Sequence, residues 1–367
     1  MRATLDFSRR NLGLTAPNPA VGAIIVKHDV VLGRGITQPG GRPHAEQIAL
    51  AQAGEAARGA TIYVTLEPCA RRSRTGDGPS CTDAILAAGI ARAVIAAPDP
   101  SPFAAGEGER RLRGHGVDVV TGVLAGEAAA FHLGHILRVT AHRPLVQLKL
   151  AATRDGFAAT RDRQPLAITG EMARSMTHML RARADAIMVG IGTVIADDPQ
   201  LTCRLPGLRA RSPVRVVLDG ALRTPMLSQL VKTAREVPTW IVAGVGASVE
   251  REWALRSQGV DVLRVGADNA GRLDLADSLG LLADWGITRL MVEGGPTLAE
   301  ALAGADLIDE AVLFSGGWKL GGQAGGQGGL PALGPALGRL ASGQGGWRKQ
   351  DERALGPDLM RSFERLR

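Results

Sequence analysis

Short apolar, β-branched runs alternate with stretches of helical spacing along nearly the whole chain, and this alternation constrains the fold more than any other feature. Repeated strand–helix–strand units bury their faces as sheets covered by helices, the architecture of α/β domains. The run AVGAIIV at residues 20–26 is strand-like. A turn-rich GRGITQPGGRP then leads into HAEQIALAQAG, whose apolar spacing is helical. ATIYVTLEPC reads as a strand ending in a polar loop, CTDAILAAG as a short helix closed by Gly89, and ARAVIAAPDP as a return to strand. VDVVTG and EAAAFHLGHILRV complete this first region. Pro144, in AHRP, discourages the preceding helix from continuing and marks a boundary. Beyond it, LVQLKLA, AIMVGIG, VRVVLDG, TWIVAG, VDVLRV, RLMVEGG and EAVLFSG are strand candidates. They alternate with helix candidates EMARSMTHMLRARA, VEREWALRSQ, LADSLGLLADW and TLAEALA. Residues 315–346 are rich in glycine and read as loop with short strands and little helix. A chain of 367 residues holds two domains at roughly 100 to 200 residues each, and the boundary places them at 1–142 and 143–367.

Composition removes several function classes. Hydrophobic residues at 45% and charged residues at 22% are globular values, excluding long disorder, collagen-like repeats and a coiled-coil rod. No apolar run approaches the roughly 18 to 20 residues that span a bilayer, and the opening MRATLDFSRRN carries charge where a signal peptide is apolar. A cytoplasmic protein with no membrane partner is expected. Three cysteines are too few for a disulfide framework, which leaves metal binding or burial. The net charge of +7 favours anionic ligands such as phosphates. Aromatics make up only 3%, which supplies few stacking platforms for single-stranded nucleic acid, so no nucleic-acid partner is expected.

Chemistry concentrates first in P-H-A-E at residues 43–46 and L-E-P-C-A at residues 66–70, followed by Cys81. One imidazole (His44) and two thiolates (Cys69, Cys81) make three borderline-to-soft ligands for Zn²⁺ and leave a fourth tetrahedral position for water. Glu46, two residues past His44 on the first helical turn, is placed to shuttle a proton from that water to a ring nitrogen and a leaving amine. His44 and Cys81 are each expected to begin a helix, where a thiolate is favoured electrostatically. Cys203, in LTCRLP, has no ligand-like neighbour and reads as structural.

These motifs, with APNPAVGAIIV, GATIYVTLEPC and the later DPSP, resemble the bifunctional deaminase/reductase family of riboflavin biosynthesis, and the resemblance covers nearly the whole chain. It implies a cytidine-deaminase-like three-layer domain followed by a dihydrofolate-reductase-like α/β domain. It implies that the first deaminates a phosphoribosylamino-diaminopyrimidinone, a phosphorylated pyrimidine, with Asn18 and Asp99 in contact with the pyrimidine ring. The family reads P-C-S-H-x-G-[RK]-T-P-P-C after the first cysteine; here Arg71 stands in place of the histidine and three residues are inserted around 76–78. Arg74 and Thr75 keep the basic–Thr pair, and a contact to the substrate is expected from them.

In the second half, Gly190 and Gly192 lack the spacing of a Rossmann fingerprint. V-E-G-G-P-T-L at 292–298 is more informative, because a strand ending in Gly-Gly before a helix offers free N–H groups to a phosphate. The resemblance implies that Ala152, Thr193, Asp197, Gly294 and Gly295 bind NADPH, and that Arg181, Leu201, Arg204 and Glu293 hold the ribose-phosphate substrate. Arginine suits this through its planar fork, which can pair two phosphate oxygens. Lys149, with Asp155 nearby in sequence, is a further candidate. Where the family reads S-x-W-I-[TS], this chain has Pro165 and Ala167, and Arg154 opens its R-D-G. The missing hydroxyl and aromatic platform predict weak NADPH binding unless another side chain, such as Arg154 or Arg163, fills the gap. The bifunctional enzyme is thus the leading reading and a homo-oligomer is expected. A deaminase with a non-catalytic second domain and a nucleic-acid base deaminase are the alternatives.

Overall fold

The run read as the first strand forms β1 (Gly22–Lys27), which turns directly into β2 (Val30–Ile36). With β3 (Thr61–Val64), β4 (Arg92–Ile95) and β5 (Asp118–Thr121) it makes a five-stranded sheet in the order β2-β1-β3-β4-β5. β1 is antiparallel to both of its neighbours, pairing Ala23 with Val64 and with Gly35, whereas β3, β4 and β5 run parallel. Parallel neighbours need a crossover. The helices Cys81–Ala87 and Glu107–Gly114 supply the two crossovers. Ala23, Ile25, Ile62, Val64 and Ile95 are buried in the core of this sheet.

This computed structural model describes residues 1–71, 78–162, 164, 166–321 and 328–366. It divides into two units, Met1–Pro144 with Ala283–Thr288, and Leu145–Leu282 with Arg289–Arg367. In the first, the helix Ala45–Ala53 buries Ala45, Ala49 and Ala53 and lies almost on the backbone of β2. A Cβ on Gly33 would sit 2.1 Å from the Ala49 carbonyl oxygen, and one on Gly35 2.0 Å from that of Ala45. Alanines on the helix and glycines on the strand together set the height of the helix that His44 and Glu46 begin.

The stretch EAAAFHLGHILRV, read as one helix, is two: Ala125–Phe131 and Leu133–Thr140. The break falls at His132, whose buried Nε2 lies 3.0 Å from Thr65 Oγ1 just beyond β3. A tertiary hydrogen bond outweighs local helical continuity there.

The second unit is built on β6 (Leu145–Ala152), β8 (Ala186–Gly190), β9 (Val214–Leu218), β10 (Thr239–Gly244), β11 (Asp261–Val265), β12 (Arg289–Val292), β13 (Glu310–Ser315), β15 (Trp347–Leu355) and β16 (Asp358–Arg365). The order is β11-β10-β9-β8-β12-β6-β13-β16-β15. β7 (Phe157–Ala159) and β14 (Leu330–Pro331) form a separate pair. The seven strands from β11 to β13 are parallel and largely buried, as strands covered on both faces must be. β16 pairs antiparallel with β13 and with the exposed edge strand β15. One feature differs from the glycine-rich loop expected over residues 315–346. A helix forms at Pro335–Ala341, with Pro335 at its first position and the remote Glu300 carboxylate accepting the N–H groups of Ala336 (2.6 Å) and Leu337 (3.1 Å). The hairpin of β15 and β16 follows it. Among the described residues, no helix is long and apolar enough to cross a membrane.

Gly35→Ala forces a backbone clash that no rotamer change relieves, at a cost of roughly 1–3 kcal/mol or more. It should lower the unfolding temperature and the zinc content of the protein together. Unchanged melting and metal content would show that the helix has room to move away.

Candidate functional site

Three chain segments deliver His44, Cys69 and Cys81 to one point. His44 is the extended N-cap residue of the helix Ala45–Ala53, and its backbone N–H donates to Gln47 Oε1 (3.1 Å). Cys81 opens the helix Cys81–Ala87, whose N-cap Ser80 accepts the Asp83 N–H on its hydroxyl (3.1 Å). Cys69 lies in the loop that follows β3. His44 Nδ1 stands 3.3 Å from Cys81 Sγ and 3.8 Å from Cys69 Sγ, and the Cys81 N–H donates to Cys69 Sγ at 3.3 Å. All three ligand atoms lie within 4.8 Å of one another, the one such group among the described residues.

Proton affinities show what this trio lacks. The Cys69 thiol is brought down to about 4, first by a hydrogen bond from the Cys81 thiol and then, against the cost of burial, by His44 and the Cys81 N–H. The Cys81 thiol is pushed up by the same hydrogen bond and by burial. One sulfur can shed its proton only if the other keeps it. A divalent cation lets both ionise, and an imidazole with two thiolates is a ligand set that suits zinc. Burial pushes the Glu46 carboxyl up, opposed by His44 and reinforced by the Cys69 thiolate. Its Oε2 is buried without a hydrogen-bond partner, as is His44 Nε2. Glu46 is therefore a carboxyl kept out of water beside His44 and the two cysteines.

Asn18 is half-buried, and its Nδ2 donates to the Gly41 carbonyl (2.9 Å), three residues before His44. A Cβ on Gly41 would lie 2.7 Å from that nitrogen, and φ there is +86°, so only glycine admits the contact. Asp99 follows β4 and is buried. Its Oδ1 accepts from the Ser101 N–H (2.8 Å) and lies 2.8 Å from His135 Nε2. Burial alone would raise the Asp99 carboxyl, but these donors hold it below its ordinary value. Arg71 is exposed, and its N–H faces the Phe103 carbonyl. Arg74 and Thr75 lie outside the described residues. Sequence reasoning passed over Glu67, whose buried carboxylate accepts the N–H groups of Asp99, Gly106, Gly108 and Glu109. It also passed over His135, although His132 and His135 three apart in a helical stretch were a readable signal.

In the second unit, β8, β12 and β6 are adjacent and parallel, with Val292 opposite both Met188 and Leu148. Their carboxyl ends therefore share one edge of the sheet, where α/β proteins place ligands. Ala152 ends β6, Gly294 and Gly295 follow β12, and Thr193 and Asp197 lie on the helix Ile191–Asp197 that follows β8. Gly295 is the N-cap of Pro296–Gly304, and a Cβ on Gly294 would meet the Leu298 side chain at 2.9 Å. Leu201 (φ +55°) and Asp198 (φ +39°) hold the left-handed conformation, a strain that non-glycine residues rarely accept.

Arg181 departs from expectation. Its fork does not stand open for phosphate: Nε and Nη2 donate to Glu293 Oε1 (2.6 Å) and Oε2 (2.9 Å), and Nη1 donates to the Thr202 carbonyl (2.9 Å). Glu293 is lowered against its burial by the Arg181 charge and its hydrogen bonds, with Lys149 adding to the effect. Burial brings the Lys149 ammonium down, and its Nζ stands 5.6 Å over the Phe314 ring. Arg204 is exposed, with its backbone N–H directed at His178 Nδ1 (3.3 Å). Asp155 does not join this group. It anchors a loop, accepting from the Thr153 hydroxyl and the Leu320 and Gly321 N–H groups, and these donors lower it to about 2. Ala167 is exposed, but an indole does reach this segment, since Trp318 Nε1 donates to the Ile168 carbonyl at 3.1 Å. The Arg154 backbone N–H in turn donates to the Trp318 carbonyl (2.8 Å). Arg163 and Pro165 lie outside the described residues.

Comparison with known proteins places both halves. The cytidine and deoxycytidylate deaminase zinc-binding region matches residues 1–97, and the RibD C-terminal domain matches residues 144–337. The riboflavin biosynthesis protein RibD of Escherichia coli is 38% identical over 370 residues, covering 98% of this chain and 96% of that protein. RibD of Aquifex aeolicus is 40% identical over 86% of this chain and 85% of its own length. Among solved structures, Acinetobacter baumannii RibD superposes with a TM-score of 0.84 at 32% identity, covering 100% of this chain and 98% of that one. A Thermotoga maritima protein described as a diaminohydroxyphosphoribosylaminopyrimidine deaminase/5-amino-6-(5-phosphoribosylamino)uracil reductase gives 0.81 at 29%, covering 100% and 97%. With its zinc-binding deaminase half, its α/β reductase half and near full-length identity to these relatives, the chain belongs to the RibD family of bifunctional deaminase/reductases of riboflavin biosynthesis.

Proposed function

We propose that residues 1–142 deaminate 2,5-diamino-6-(5-phosphoribosylamino)pyrimidin-4-one and that residues 143–367 then reduce the ribosyl group of the product to ribityl with NADPH. The observation that carries the first step is the convergence of His44, Cys69 and Cys81 beside the buried, partnerless Oε2 of Glu46. These three residues would hold zinc, which supplies the Lewis acidity that makes water a nucleophile near neutral pH. Glu46 takes one proton of the attacking water to the ring nitrogen and carries the second, from the resulting C–OH group, to the amine, which leaves as ammonia as the C–O bond replaces C–N. Asn18 and Asp99 orient the pyrimidine, Asp99 as an anion that accepts a ring N–H, and Arg74 and Thr75 contact the substrate from the loop between the cysteines.

For the second step, Ala152, Thr193, Asp197, Gly294 and Gly295 hold the cofactor along the carboxyl edge of β6, β12 and β8, and NADPH supplies the hydride to the sugar carbon. Arg181, Leu201, Arg204 and Glu293 line the substrate side. Because Glu293 cancels Arg181, the cationic excess facing a phosphate comes from Lys149 and Arg204. Lys149, made less basic by burial, yields a proton more readily than an exposed lysine. Trp318 brings an indole to the segment where Ala167 has none.

Glu46→Gln should keep one zinc per chain and lose deaminase turnover by about 10²–10⁴-fold. Metal analysis beside product mass spectrometry checks both, and lost zinc or near-normal turnover refutes the assigned role.

On the reductase side, Arg204→Ala should raise KM for the deaminated phosphoribosyl intermediate about tenfold with unchanged melting, since Arg204 is exposed. Glu293→Ala should instead destabilise the fold by roughly 3–5 kcal/mol by leaving the Arg181 charge buried and unpaired.

Trp318→Leu should weaken NADPH binding about tenfold, the scale of one lost aromatic contact, whereas Pro165→Ser with Ala167→Trp should gain little. A large gain in the double variant, with no loss in Trp318→Leu, would show that the platform is missing.

A further inference from the structure

We propose that His135 is a positioning residue for deamination, whose Nε2–H fixes one oxygen of Asp99 so that the other is presented to an N–H group of the aminopyrimidine. This rests on the reading of Asp99 as a substrate contact.

His135 Nε2 and Asp99 Oδ1 are 2.8 Å apart, and each side chain is only about a tenth exposed, 9% and 10%. Oδ1 also receives the Ser101 N–H at 2.8 Å, so that oxygen is fully engaged. Ser101 adds a side-chain hydrogen bond to its backbone one, so His135 and Ser101 are the residues that hold the Asp99 side chain among the described residues. The carboxylate is thus gripped by these two neighbours, and an oxygen lone pair not spent on them is what a ligand N–H would meet. An acceptor of this kind selects a ligand with N–H groups, as a 2-aminopyrimidine has.

The far side of the imidazole identifies the proton. His135 Nδ1 is buried and has no hydrogen-bond partner. A proton there would be a buried donor without an acceptor, whereas a bare lone pair costs less. The ring therefore carries its proton on Nε2, aimed at Asp99. His132, at the start of the same turn, lies 3.0 Å from Thr65 Oγ1, and that hydroxyl oxygen also accepts the Gly22 N–H. This pins the helix Leu133–Thr140 over the ends of β3 and β4. The Asp99 backbone is fixed in turn, because its N–H faces Glu67 Oε2 (3.4 Å) two residues before Cys69. His135, Asp99 and the Cys69 loop are therefore linked by consecutive hydrogen bonds.

Stability alone does not account for the pair. Taking a carboxylate and an imidazole out of water, with one ring nitrogen unsatisfied, is no better for the fold than apolar residues of similar volume. The arrangement makes sense where a carboxylate must be aimed.

The test uses the full-length zinc-loaded protein and the diaminopyrimidinone substrate. His135→Phe removes the donor, His135→Gln keeps an N–H of similar reach, and Asp99→Asn removes the anion. His135→Phe should keep its zinc and its melting temperature, yet lose deaminase kcat/KM by roughly 10- to 100-fold, the scale of a misplaced contact. His135→Gln should recover most of that loss. The double variant His135→Phe, Asp99→Asn should be no worse than Asp99→Asn alone, because both changes break one unit. Wild-type kinetics for His135→Phe beside an impaired Asp99→Asn would overturn the role of His135 and leave the Asp99 reading standing. Wild-type kinetics for Asp99→Asn would overturn both, and additive losses would show that the two act apart. A measurement on the unaltered protein guards against variants that fail to fold. Long-range ¹H–¹⁵N correlation should find a proton on His135 Nε2, and a ring protonated on Nδ1 with Nε2 bare would sink the proposal.

Discussion

Four backbone N–H groups converge on the carboxylate of Glu67, and the geometry of the deaminase site depends on that convergence. Oε2 accepts from Asp99 (3.4 Å) and Gly106 (3.0 Å), and Oε1 from Gly108 (3.0 Å) and Glu109 (3.2 Å). The loop after β4 and the start of the helix Glu107–Gly114 are thereby tied to the residue two before Cys69. The loop closes from the other side as well, since the Ala70 N–H donates to the Phe103 carbonyl (2.7 Å). Gly108 completes the arrangement, because a Cβ there would lie 2.3 Å from the Pro68 carbonyl oxygen. Hydrogen bonds to a charged group contribute about 1.5–3 kcal/mol each. Several on one side chain can hold a loop that has little hydrophobic burial of its own.

Charge is handled in opposite ways in the two halves. Around His44, Cys69 and Cys81, the starts of two helices face the sulfurs, and their dipoles favour thiolates. Two thiolates balance a dication, which leaves Glu46 as the remaining ionisable group within that buried cluster. Its carboxyl is already raised by burial. In the second unit the cations are partly cancelled inside the protein. Arg181 is locked to Glu293, and the carboxylate neutralises its charge. A sequence containing an arginine at the expected position does not reveal whether its fork is free.

Much of the fold was legible because strand and helix periods are local properties. TWIVAG is β10 residue for residue, and His44, Cys81 and Gly295 sit at helix starts where the sequence pattern put them. The candidate metal group of His44, Cys69 and Cys81 was readable for a similar reason, since residue type and spacing around a turn already single out the donor set that the fold brings together. What escaped depends on partners far along the chain. The helix Pro335–Ala341 is capped by Glu300, the helical stretch after Gly122 is broken by a bond from His132 to Thr65, and Arg181 is claimed by Glu293. No window of sequence contains both members of any of these pairs. Asp155 illustrates the converse: it is close to the candidate Lys149 in sequence, but its oxygens are spent on the Thr153 hydroxyl and on Leu320 and Gly321.

The segment around Ala167 shows why a departure from a family pattern is weak evidence of lost function. A binding site requires a ring at a place in space, not at a place in the sequence. Trp318 sits just beyond β13, where the Gly316 N–H donates to the Ala152 carbonyl (2.8 Å) and holds that chain end against the end of β6. The indole N–H then reaches the Ile168 carbonyl, one residue past Ala167. Its backbone is fixed a second time by the Arg154 N–H, and Arg154 belongs to the turn that follows β6. A tryptophan held by its neighbours' backbone and by its own ring nitrogen keeps little rotational freedom, and a ring so fixed would lose little entropy on meeting a ligand.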